Sequence, residues 1–131
     1  MLCTYTRYLS KKANLIFMDY INYQCSVNTG YTFQIPVLNM SADDTKESWE
    51  TKNSAYICMA IFSALHTAVT YQLKHVPAFI VNETEYVFYL DYDQFDVYYT
   101  RVYDWLMIYE EYELLSELTA LRLKLNELND K

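Results

Sequence analysis

Two histidines, three cysteines and one close set of aspartates are the residues in this sequence with the most evident chemical use. His66 and His75 lie nine positions apart. On one helix, at roughly 100° per residue, they point about 180° away from each other and cannot share a metal ion. His66 stands inside an apolar run and reads as a neutral core residue bonded to a carbonyl or a tyrosine. Asp91, Asp93 and Asp96, in LDYDQFD, invite a calcium loop. Such a loop needs glycine where Asp96 stands and a bidentate acid where Val102 stands, so a solvated acidic face is the better reading.

Ser54, Ser63 and Ser116 have no triad context, and the single glycine, Gly30, cannot build a phosphate loop. Cys3, Cys25 and Cys58 show no paired spacing and read as buried or free thiols, an intermolecular bridge being the alternative. Asn39-Met-Ser41 and Asn82-Glu-Thr84 match the glycosylation acceptor pattern and equally read as helix caps. The expectation is a protein without catalytic residues, metal, cofactor or small-molecule substrate.

The elements that would position these residues read as helices. The chain has 131 residues, one glycine and two prolines, which suits a single domain of long elements with few tight turns. Leu2, Tyr5, Leu9, Ala13, Ile16, Tyr20 and Tyr23 follow steps of three and four and predict a first helix at about 3–24. Asn28-Thr29-Gly30 signals a turn, and Pro36 forbids a helix, so an irregular connector with room for a small hairpin follows. Ser41 and Asp44 resemble a capping box opening a second helix at about 42–75, stopped by Pro77.

Residues 78–90 carry two readings. Ala78 to Val81 and Tyr86 to Leu90 are β-rich and can form a hairpin, whereas Phe88, Tyr92, Phe95, Tyr99, Val102, Leu106 and Tyr109 alternate steps of four and three like a heptad seam. The longer pattern favours a third helix at about 83–129. A second seam, Leu114, Leu118, Leu121, Leu125 and Leu128, is offset after Tyr109, which predicts a bend or break near 110–113. The fold expected is mainly α: three to four long helices in one domain spanning 1–131.

The uncharged stretch from Asn53 to Leu73 is 21 residues long, about 31 Å as a helix and enough for a bilayer core. Polar positions within it, His66 and Gln72 among them, favour a buried central helix with Cys58, Phe62, Leu65 and Val69 facing the bundle. Nine acids against Arg101 alone between Glu83 and Glu113, in a chain of net charge −7, argue against general nucleic-acid binding. The start MLCTYTRYLSKK lacks the order of a signal peptide, which points to synthesis in the cytoplasm.

In its length, in YVFYLDYDQFDVYYTRVYDWLMIYEEY and in its apolar AYICMAIFSALHTAV helix, the chain resembles the major coat proteins of large spindle-shaped and two-tailed viruses of hyperthermophilic archaea. The resemblance implies a helical subunit in the virion, made in the host cytoplasm, with itself and other virion proteins as partners and with lipid or genomic DNA nearby. Self-association is expected through Leu114, Leu118, Leu121, Leu125 and Leu128. Core or subunit packing is expected at Phe62, Leu65, Val69, Phe88, Tyr92, Phe95 and Tyr99, and phosphate contact at Arg7, Lys11 and Lys12. The alternative is an inhibitor whose acidic helix imitates DNA and occupies a host nucleic-acid-binding factor.

Overall fold

The segment that Pro36 keeps out of a helix is the centre of a sheet. In the computed structural model, which describes residues 2–3, 19–24, 30–82, 84 and 86–128, strand β3 (Thr32–Leu38) pairs antiparallel with β2 (Asp19–Gln24), from Gln24 opposite Thr32 to Asp19 opposite Val37. Because β2 takes one edge along nearly all of β3, two partners share the other. Strand β1 (Leu2–Cys3) pairs parallel at Thr32 and Phe33, and β4 (His75–Val81) pairs parallel at Val37 and Leu38. Pro36 falls in the gap between them, where that edge of β3 asks for no ladder hydrogen bond among the described residues. Strand β5 (Val87–Asp91) completes the sheet antiparallel to β4, with a register shift between Pro77 and Phe79.

Helix α1 (Lys46–Lys52) and helix α2 (Ser54–Tyr71) connect β3 to β4. A 3-10 turn at Tyr92–Gln94 leads into α3 (Phe95–Ile108), and α4 (Tyr112–Glu127) follows. The expected helical bundle is therefore corrected to a mixed sheet with helices packed on it. Cys3 and residues 19–24, assigned to the first helix, are strand, and the rest of that prediction, 4–18, lies outside the described residues. Tyr20, Ile21 and Tyr23 suit a half-buried strand as well as a helical stripe, and the exposed edge of β3 gives them a partner.

The second predicted helix is divided at Asn53, which ends α1 and begins α2. Its cap is Thr45 with Ser48, whose side chains and backbone N–H groups bond reciprocally; Ser41 and Asp44 form the turn before it. The helix stops at Gln72, which is left-handed (φ 54°), with the Leu73 N–H returning to the Ala68 carbonyl at 2.9 Å. His75, read as the end of that helix, and Phe88, read as the start of the heptad seam, lie instead on strands β4 and β5 of a hairpin, the other of the two readings of 78–90. Strand β4 is buried at five of seven positions, as suits a strand with partners on both edges.

Helix α2 is the centre of the molecule. It packs on β4 on one side and on α3 and α4 on the other, and Met59, Phe62, Leu65 and Ala68 lose all solvent contact. Its length and mean hydropathy of 1.3 match a membrane span, but a helix apolar most of the way round is also what a core enclosed from both sides requires.

Candidate functional site

Helices α3 and α4 turn their regular seams inward, which decides what remains outside. Leu114, Leu118, Leu121, Leu125 and Leu128, named above for joining copies, are all buried within the chain, as are Phe62, Leu65 and Phe95. Val69, Phe88, Tyr92 and Tyr99 are partly buried against the same core. Phe88 reaches it from a strand and Tyr92 from the 3-10 turn, not from one helix face. Arg7, Lys11 and Lys12 lie outside the described residues.

Among the described residues most of the large apolar side chains left outside, though not Tyr86, Val97 and Leu123, gather at the corner between α3 and α4. There Met107, Ile108, Tyr109 and Tyr112 are exposed, Ile108 by 74% and Tyr112 by 60%, with Tyr103 one turn earlier. Glu110 makes the corner with φ of 56°, and Asp104, Glu110, Glu111 and Glu113 frame it with negative charge. The eight tyrosines between Tyr86 and Tyr112 divide evenly: Tyr89, Tyr92, Tyr98 and Tyr99 pack on the core, while Tyr86, Tyr103, Tyr109 and Tyr112 stand in solvent.

A second feature is a cleft of about 640 Å³ among α1, α2, α3 and the β4–β5 hairpin. One wall is a continuous series of rings: Trp49 on Phe79 (6.3 Å), Phe79 stacked on Phe88 (5.0 Å), and Phe88 edge-on to Tyr98 (5.5 Å). The Arg101 guanidinium lies 5.4 Å from the Tyr98 ring centre and extends that series to the rim. Ile57, Cys58 and Ile61 of α2 line the cleft as well, and Lys46 and Glu50 add charge. Burial pushes the Cys58 thiol up to about 12, so it lines the cleft as a neutral group. The two indoles differ: Trp49 Nε1 donates to the Asn39 carbonyl at 2.6 Å, whereas Trp105 Nε1 is shielded and has no acceptor.

The titratable residues singled out in the sequence take separate partners. His66 accepts or donates through Nδ1 to the Thr70 hydroxyl at 3.2 Å; burial holds its pKa below the usual value, with the Lys124 charge adding and Glu117 opposing. His75 pairs with Asp91 across the hairpin and stacks on Tyr89, whose hydroxyl meets that of Tyr23. Asp96 is bound by Arg122 at 2.6 Å, and Asp93 stands in the 3-10 turn, so the three aspartates converge on nothing. Asn39 and Asn82 are not helix caps; they follow β3 and β4 and bond side chain to side chain at 2.9 Å.

Sequence reading missed the cleft. Its signals were the only two tryptophans and the lone base of an acidic stretch, but their convergence depends on a hairpin and a crossover that no local pattern contains. No family model, curated protein or solved structure matches the chain, so the resemblance to viral coat proteins rests on the character of the sequence alone.

Proposed function

We propose that the protein is a non-enzymatic structural subunit that associates with copies of itself through the α3–α4 corner, the virion coat being the setting suggested by the sequence. The observation that carries this reading is the exposed Met107, Ile108, Tyr109 and Tyr112. Exposed apolar residues scattered singly are ordinary, but four within six residues of chain around one corner are the composition of an association surface. Tyrosine suits it because the ring packs while the hydroxyl keeps a hydrogen bond. The mixed sheet departs from the helical subunit that the resemblance implied, so the coat setting draws no support from the fold.

The acidic-mimic reading is weaker for a geometric reason. Asp96 and Asp104 are eight residues apart, which separates them by roughly 80° around α3, and Arg122 neutralises Asp96. A phosphate-like strip needs acids in an unbroken row.

Light scattering across a concentration series tests association. Oligomers are expected, with Ile108→Glu raising the dissociation constant about tenfold or more and leaving the melting temperature unchanged, since the side chain touches little of its own fold. A strict monomer at high concentration refutes the reading. Charge at Leu118 or Leu121 is no test of assembly, because both are core residues whose replacement would unfold the subunit. Abundance of the chain in purified particles tests the coat setting; stoichiometric capture of a nucleic-acid-binding factor would favour the mimic.

A further inference from the structure

We infer that the cleft between α1, α2, α3 and the β4–β5 hairpin binds an amphiphile with an apolar body and one anionic head, of the class of medium- or long-chain carboxylates. Three independent features converge on that chemistry. The wall running from Trp49 through Phe79 and Phe88 to Tyr98 offers apolar surface for a chain, and about 640 Å³ is within the range of clefts that enclose small ligands.

Among the described residues the charges lining the cleft are Lys46, Arg101 and Glu50, two bases to one acid in a protein of net charge −7. Arg101 is the only base between Glu83 and Glu113, yet among the described residues it lies over the Tyr98 ring and not against a carboxylate. The shielded Trp105 N–H lacks an acceptor, an unusual state for a buried indole donor and one that a carboxylate oxygen would satisfy. The ligand is held and not transformed. Head-group selection then follows from Arg101, Lys46 and the indole, and affinity from the rings.

The test uses decanoate and decan-1-ol, below micelle-forming concentrations, as probes of equal tail and different head. Both tryptophans line the cleft, so intrinsic emission reports occupancy and calorimetry gives affinity. Decanoate is expected to saturate at one per chain and to bind about tenfold more tightly than the alcohol. The double variant Lys46→Gln with Arg101→Gln should abolish that preference while still binding decanol. Trp105→Phe, read by calorimetry, should weaken decanoate at least threefold and decanol by less, since an alcohol oxygen also accepts from the indole but without the charge. Absence of saturable binding, equal affinity for the two probes, a preference that survives the double variant, or equal loss of both probes in Trp105→Phe would each overturn the assignment. Ile108→Glu should not alter decanoate affinity, so this site and the association surface fail or stand separately.

Discussion

Burial decides what three single residues can do. At pH 8 a thiol whose pKa is about 12 is ionised in roughly one molecule in ten thousand. Alkylation of Cys58, followed by peptide mass spectrometry, should therefore be slow in the native protein and fast in denaturant. Ser63 is 1% exposed and its hydroxyl has no partner; Ser63→Ala removes an unsatisfied group and should leave stability unchanged or raise it by about 1 kcal/mol in urea unfolding. His66 carries a pH dependence with a defined sign. Its folded pKa lies below the usual 6.5, first because of burial and then because of Lys124, so the unfolded chain takes up a proton that the fold resists. Stability is untouched above that value and falls as pH drops from 6.5 toward the folded pKa. The melting temperature of the native protein should fall more between pH 7.5 and 5.5 than that of His66→Gln, and parallel curves would remove the effect.

At the scale of elements, α4 shows how one periodic stripe serves the core while its neighbours serve the surface. Leu118 has no solvent contact and Leu123, five residues on, is 72% exposed. Leu118→Ala should cost about 3 kcal/mol in denaturant unfolding and Leu123→Ala within about 0.5 kcal/mol. At the corner, Glu110 pays a left-handed backbone (φ 56°) that glycine adopts freely. Glu110→Gly should stabilise by about 0.5–1 kcal/mol relative to Glu110→Gln, which controls for charge. The hairpin at 75–91 was the element that periodicity misassigned. Phe88, Tyr92 and Phe95 keep steps of four and three, yet each belongs to a different kind of backbone: strand, 3-10 turn and helix. They share a spacing because all three point into one core, and the β-rich residues on either side of Asn82 had pointed to the hairpin.

For the whole molecule, the net charge of −7 sets the terms of association. A corner-to-corner contact brings two acidic frames, each with Asp104, Glu110, Glu111 and Glu113, toward each other. Their repulsion is screened within about 10 Å at 0.1 M salt, so self-association should strengthen as salt rises from low to physiological strength in sedimentation or light scattering. Weakening with salt would place a basic surface opposite the corner instead. Away from that surface, Lys52 holds Asp44 at 2.6 Å and keeps its carboxyl below the usual range, a contribution present above that range and lost as acid protonates it.

The sequence by itself determined the central helix and the periodicity of the leucine stripe, though not that the stripe faces its own core. The run SAYICMAIFSALHTAVTY is helix α2 at the centre, and Leu114, Leu118, Leu121, Leu125 and Leu128 form one buried stripe. Both are local facts, because a helix satisfies its own hydrogen bonds and shows its buried face within a few turns of chain. Only the tertiary structure decided that 19–24, 32–38, 75–81 and 87–91 are strands, and that Trp49, Tyr98, Arg101 and Trp105 line one cleft. A strand's hydrogen bonds and half of its packing come from residues far along the chain. Its stability, and any site built against it, cannot be read from a single window of sequence.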